Sequence, residues 1–349
     1  RHSNCGFKKH MDSKAAAEIT QKILNLKVAL DRDLLACDAK WTLFVSAALS
    51  YRYDCQLKPF PPKFMTEEGL NIEALINIIN DVPPLQIFLN NILEGYYIDL
   101  EIDVIELLHW VLIEERDPTL RTLSEREYQL VFDSLFQSAD TPKPTQVFEV
   151  IPAPRSKYER RFALKQGKYE TGIGFHGNKL TNFYSILHYG IKPDMCENGP
   201  LGDGIYLSTD ISVSMKYSPK SPAWGASLCG SIISCAAICE YINNSRYTDI
   251  IVKTCWETEE KQTCVVVAHS DACRVRYLVF YGDNIGEEFC PRQLAISWFN
   301  RNKYIVTICL YTLIISSLAI ACSGNGMDIL KNIINIPSAL IDLVKNIFS

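Results

Sequence analysis

The chain has 349 residues, 48% hydrophobic and 21% charged, which is long enough for two domains with cores of their own. Its net charge of −5 leaves no basic excess, so general nucleic-acid binding is not expected. The 13 cysteines include no C-x-x-C pair, and Cys235 and Cys239 lie in an apolar run. That pattern argues against a metal site, and the odd count favours free thiols in a reducing compartment over a disulfide framework.

Residues 1–12 are expected to be a disordered N-terminus, with Met11 a candidate start, and they hold no apolar core of a signal peptide, so this end is expected in the cytosol. Residues 13–137 read as an all-α domain. Ile19, Ile23, Leu26 and Leu30 keep one helical face, Leu43, Phe44, Ala47 and Ala48 a second, and Leu107, Leu108, Val111 and Leu112 a third. Pro59, Pro61, Pro62, Pro83 and Pro84 interrupt between them, and no residue of this domain suggests chemistry. Residues 138–146, opening on SADTPKP, are a linker by composition, and residues 147–298 alternate short strands with a few helices, as a mixed α+β domain does. Within it, Asn243 to Glu260 is charged and irregular at both ends, while Cys273 to Tyr281 alternates in the manner of a strand.

Residues 304–322 run 19 positions without a charge, close to the roughly 20 apolar residues that cross a bilayer, and predict a single C-terminal transmembrane helix. Arg301 and Lys303 precede it, whereas Asp328 and Lys331 after it cancel, so the positive-inside bias places the preceding domains in the cytosol. In 323–349, Ile329, Leu330, Ile333, Ile334, Leu340, Ile341, Val344 and Ile347 recur near helical spacing, with Pro337 as a bend. This is the pattern of an amphipathic tail on the lumenal membrane surface.

The chemistry concentrates between Gly172 and Tyr217. Gly172, Gly174 and Gly177 satisfy G-x-G-x-x-G, with Asp194 following, but the preceding KQGKYET is too polar for the buried parallel strand that a dinucleotide fingerprint requires. The other reading takes two clusters together. Phe175-His176-Gly177 precedes a helical segment carrying Phe183, Ile186, Leu187 and Ile191; then come Gly202-Asp203-Gly204-Ile205-Tyr206-Leu207, Ser214 and Tyr217. This set resembles the catalytic domain of the PARP family of ADP-ribosyltransferases, where a His-Gly strand, a Gly-x-Gly-x-Tyr strand and a Ser-x-x-Tyr helix line one NAD cleft.

The resemblance implies NAD as ADP-ribose donor and no metal. It implies that the Gly177 backbone and the Ser214 hydroxyl meet the nicotinamide carboxamide, that His176 hydrogen-bonds a ribose hydroxyl, and that Tyr206 and Tyr217 sandwich the ring. The catalytic set it implies is His176, Tyr206 and Tyr277. Polymer-forming relatives carry a glutamate where this chain has Tyr277. A tyrosine, whose hydroxyl ionises near pH 10 in the free residue, is a poor general base, so the expectation is transfer of one ADP-ribose unit without elongation.

The His-Tyr-Tyr set resembles the family's short tail-anchored branch. That implies a protein of the endoplasmic reticulum membrane and the continuous nuclear envelope, acting on protein acceptors, stress-signalling membrane proteins and itself among them, with a helical domain that regulates access to the cleft or serves as a stabilising cap. The tRNA 2′-phosphotransferases share the fold class, but they need a surface for RNA phosphate. A catalytically silent NAD-binding membrane scaffold is the remaining alternative.

Overall fold

In the computed structural model, residues 13–95, 101–135, 143–193, 203–254 and 261–282 are described. The expected disordered start, residues 138–142 of the linker, Asp194, the domain end at 283–298, the transmembrane helix at 304–322 and the tail at 323–349 lie outside the described residues. Among the described residues no single helix is long and apolar enough to cross a membrane.

Helices come first. α1 (Ser13–Arg32) buries Ile19, Ile23, Leu26 and Leu30 and leaves Leu24 and Val28 exposed, as its amphipathic spacing predicts. α2 (Leu34–Ala48) is buried on every side, with every residue from Ala36 to Ala48 except Cys37 shielded from solvent, the polar Asp38, Lys40, Thr42 and Ser46 included. Asp33 separates the two helices and caps α2, its Oδ1 accepting from the Ala36 N–H at 3.0 Å. A single turn, α3 (Tyr53–Gln56), and a small hairpin of β1 (Met65–Thr66) and β2 (Gly69–Leu70) follow. Next comes α4 (Ile72–Asp81), capped by Asn71, and then α5 (Leu85–Leu93), entered through Pro83-Pro84. Taken as a bent pair at 61°, α4 and α5 reach membrane-spanning length, but they bury Leu75, Ile79, Leu85, Phe88, Leu89 and Ile92 within the protein. α6 (Ile102–His109) runs into a π turn at Trp110–Glu114.

The sheet begins earlier than the sequence suggests. β3 (Thr119–Thr122), inside the stretch read as all-helical, pairs antiparallel with β4 (Gln146–Ile151). Between them, α7 (Glu125–Leu135) brings Tyr128, Val131, Phe132 and Leu135 onto the sheet. Four residues are too few for a period to declare itself, so tertiary partners hold this strand. The Thr122 N–H and hydroxyl donate to the Asp33 carboxylate, each at 2.7 Å, and Arg121 joins Glu149 on β4 to Glu127 on α7.

The remaining elements are α8 (Lys157–Gln166), β5 (Thr171–Asn178), α9 (Phe183–Tyr189), β6 (Ile205–Ser208), α10 (Ile211–Met215), β7 (Ser221–Pro222), β8 (Ile232–Ile242), β9 (Thr248–Thr254), β10 (Lys261–Val267) and β11 (Cys273–Gly282). The strands form one sheet in the order β3-β4-β11-β8-β5-β6-β10-β9, with β7 paired to β8. Every described pairing is antiparallel, which excludes a parallel dinucleotide fold around Gly172, Gly174 and Gly177. The described residues are therefore α+β, helices first and an antiparallel sheet after.

One face of the sheet continues into the helical core: Phe148, Ala237, Cys239, Leu278 and Phe280 share a cluster with Trp41, Phe44 and Tyr184. The other face carries a small cluster of Val147, Phe175, Ile211, Ala236, Ile238 and Val279, covered by α7 and Met215. Polar joints also tie α2 to its surroundings. The Asp38 carboxylate accepts from the Ser227 hydroxyl at 2.6 Å and the Leu228 N–H at 2.9 Å, while burial pushes its pKa up to about 7. Lys40 donates to the carbonyls of Glu115 and Pro118, and burial lowers its ammonium to about 8.

Candidate active site

The sheet opens between β5 and β6. These strands share a single pairing, Phe175 with Ser208, whereas β5 pairs with β8 along its whole length from Thr171 to Asn178. Just past that bridge, the His176 imidazole takes over from the backbone ladder. Its Nδ1 lies 3.0 Å from the Tyr206 carbonyl, joining β5 to β6 through a side chain. His176 is only 6% exposed, and burial lowers its pKa against the opposing effect of the Tyr206 hydrogen bond, so the ring is neutral.

α10 sits directly on this opening. Asp210 caps it by accepting from the Ser212 N–H at 2.8 Å, and the buried Ser214 hydroxyl donates to the Phe175 carbonyl at 2.9 Å. A Cβ on Gly177 would overlap the Ser214 carbonyl oxygen and crowd Ser218 Oγ at 2.9 Å, so only glycine lets the helix approach β5 this closely. Gly174 has a related constraint, since a Cβ there would stand 2.8 Å from that of Leu207. The glycines of the G-x-G-x-x-G string thus serve close packing of an antiparallel strand.

Tyr217 follows α10, its N–H bonded to the Ser214 carbonyl at 3.0 Å, and its side chain is 68% exposed. Tyr206 is half-buried on β6. Tyr277 enters from farther off: Ile238 on β8 pairs with Phe175 on one side and with Tyr277 on the other. Two strand spacings put Tyr277 roughly 10 Å from Phe175 across the sheet. Its ring packs against the same cluster as Phe175, beside a register shift between Val275 and Tyr277. The structure therefore brings together His176, Gly177, Tyr206, Ser214 and Tyr217 through direct contacts, with Tyr277 on the face that Phe175 shares.

The resemblance implies that the Ser214 hydroxyl meets the nicotinamide carboxamide. In the structure its proton is committed to Phe175, so toward a carboxamide its oxygen is an acceptor for the amide N–H. A further residue, absent from the motif, is Asn178, whose Nδ2 stands 3.3 Å from His176 Nε2. Its one available signal was an amide side chain two residues beyond the histidine, at a strand end. Among the described residues no group of three His, Cys, Asp or Glu side chains converges as metal ligands would.

This architecture, an antiparallel sheet split at a histidine-bearing strand and closed by a short Ser-x-x-Tyr helix, defines an ADP-ribosyltransferase fold. Residues 125–268 match the Poly(ADP-ribose) polymerase catalytic domain, and residues 28–112 match the ARTD15 N-terminal domain. The chain is also similar to two curated proteins, both named Protein mono-ADP-ribosyltransferase PARP16. It is 27% identical over 310 residues to that of Mus musculus and 28% identical over 318 residues to that of Homo sapiens, covering 85% of this chain and 93% of the relative in each case. The chain thus carries a PARP-type ADP-ribosyltransferase catalytic domain, an enzyme class that uses NAD as substrate. The matched stretch ends at 268, short of Tyr277.

Proposed function

We propose that this protein transfers single ADP-ribose units from NAD to protein side chains on the cytosolic face of the endoplasmic reticulum, releasing nicotinamide. The observation that carries the reading is the opening between β5 and β6, where His176 holds the Tyr206 carbonyl, Ser214 is seated against Gly177, and the Tyr217 N–H is bonded to the Ser214 carbonyl. Tyr206 and Tyr217 supply two aromatic faces for a flat heterocycle, and stacking of this kind contributes about 1–3 kcal/mol per ring. The Ser214 oxygen accepts from the carboxamide N–H, and the lone pair of neutral His176 accepts from a ribose hydroxyl.

In the reaction the bond between the nicotinamide nitrogen and the ribose anomeric carbon breaks. Its electron pair returns to the ring, which leaves neutral, as positive charge grows on the ribose in an oxocarbenium-like state. An acceptor nucleophile then bonds to that carbon and gives its proton to solvent or to a base of the acceptor protein. The Tyr277 hydroxyl hydrogen-bonds the ribose and puts no carboxylate beside the acceptor hydroxyl of a growing chain. Transfer therefore stops at one unit, in keeping with the names of the two relatives.

The uncharged run at 304–322 and the basic residues before it support a tail anchor with the enzyme facing the cytosol. Acceptors at that membrane, stress-signalling proteins and the enzyme itself among them, fit this placement. So does a helical region that regulates the cleft. Full-length protein in detergent, incubated with adenylate-labelled NAD, is expected to give a discrete labelled band that His176→Ala abolishes. A ladder would overturn the single-unit reading. Binding of a nicotinamide analogue without any label would instead leave a silent NAD-binding scaffold.

A further inference from the structure

We propose that Asn178, Asn182 and Gln56 are positioning residues that fix the tautomer of His176 and connect it to the helical region, an inference that rests on the donor-site role proposed for His176. The side-chain chain is continuous. Gln56, on the α3 turn, donates from Nε2 to Asn182 Oδ1 at 2.6 Å, and Asn182 donates from Nδ2 to Asn178 Oδ1 at 2.6 Å. Asn178 Nδ2 then meets His176 Nε2 at 3.3 Å, and His176 Nδ1 meets the Tyr206 carbonyl at 3.0 Å.

Two backbone groups settle the direction of this chain from opposite ends. The Lys179 N–H can only donate, and it lies 2.9 Å from Asn178 Oδ1, so the amide nitrogen of Asn178 is the atom that faces the imidazole. The Tyr206 carbonyl can only accept, so the proton of the neutral ring is on Nδ1 and the lone pair on Nε2. The two assignments agree. A proton on Nε2 would set one N–H against another, and Asn178 therefore holds the ring in the tautomer whose Nε2 lone pair accepts, from the Asn178 amide in this structure and, once NAD enters, from a ribose hydroxyl that takes over that hydrogen bond.

The far end of the chain gives it a second meaning. Gln56 belongs to the helical region, and its Oε1 is buried without a hydrogen-bond partner among the described residues. One amide hydrogen bond and packing hold it, so it is the link most easily released. Asn182 closes the short turn Leu180–Asn182 ahead of α9. Displacement of α3 would free Asn182 Oδ1 first and reach the imidazole through two amides. A change in the helical region thus has a polar route to the donor site that avoids the apolar core.

The test uses full-length protein in detergent with ¹⁵N-labelled histidine, the His176 signals being identified by their loss in His176→Gln. Wild type is expected to give a protonated-type Nδ1 and a lone-pair Nε2. Asn178→Asp presents a carboxylate oxygen to Nε2, which should then carry a proton, and KM for NAD should rise about tenfold, the equivalent of one lost hydrogen bond, with kcat moving less. Gln56→Leu, remote from the ring, is expected to shift the Nε2 signal while Nδ1 stays protonated and to raise KM about threefold, a weaker loss of the same kind. It also carries the test if Asn178→Asp does not fold. A lone-pair Nε2 retained in Asn178→Asp, or a Gln56→Leu protein with wild-type Nε2 signal and KM, overturns the relay. If wild type releases no nicotinamide while Asn178→Asp still moves the Nε2 signal, the relay stands and the transferase reading falls. Turnover with an unmoved signal is the reverse.

Discussion

The two faces of the sheet are built for different tasks. On the thick face, Phe44 of α2 stacks on Trp41 with ring centroids 5.3 Å apart and meets Tyr184 edge-on at 5.4 Å, so the helical region and the strands share one aromatic core. On the thin face, a cluster of six buried residues, Ile211 of α10 among them, is covered by α7 and Met215, and the groups that would meet NAD gather around the five-residue α10. The difference teaches where rigidity is needed. A thick apolar core holds the strands in place, and a short helix seated on a glycine leaves room for a ligand beside it.

The largest expected effect probes the thick face. Phe44→Ala removes a fully buried ring and should destabilise the protein by about 3–5 kcal/mol in denaturant unfolding, melting helices and sheet together. Separate transitions for the two would break the idea of a shared core. Gly177→Ala probes the thin face. The new methyl meets the Ser214 carbonyl, so it should cost about 1–3 kcal/mol in stability by overpacking and also abolish labelling by NAD. Retained labelling would show that α10 can move away without consequence.

Tyr206→Ala should weaken NAD binding by about 1–3 kcal/mol in calorimetry while barely moving the melting temperature, because that ring is half-buried at the opening. Unchanged affinity would remove it from the stacking pair. The smallest effect concerns the Asp38 joint. An unfolded aspartate releases its proton near 3.8, but the folded carboxyl holds its own up to about 7, so the folded state binds more protons in that window and stability falls as pH rises through it. Asp38→Asn lacks this term. Its melting temperature should gain on wild type as pH is raised from 4 to 7, and a constant difference would show that Asp38 ionises as readily in the folded protein as in the unfolded chain.

Much of the fold was legible where one period ran long enough. Ile19 to Leu30 and Leu107 to Leu112 repeat at helical spacing and are buried as expected, and Cys273 to Tyr281 is the strand its alternation suggests. β3 was not legible, since Thr119 to Thr122 has no pattern until Asp33 and Glu149 give it partners. The site divides in the same way. His176, Gly177, Tyr206, Ser214 and Tyr217 stand out because a motif keeps them near one another in the chain, whereas Asn182 and Gln56, 126 residues apart, have no shared signal.

By itself the sequence determined the order of helices before strands, the residue types of the opening and the uncharged run near the C-terminus, because local propensity and short-range spacing encode these. Only the tertiary structure decided that the glycine string lies on an antiparallel strand, that the Ser214 proton is spent on Phe175, and that the His176 lone pair faces Asn178. A hydrogen bond needs its partner at about 3 Å in the right direction, and which donor meets which acceptor across a sheet or between domains is fixed only when the chain packs.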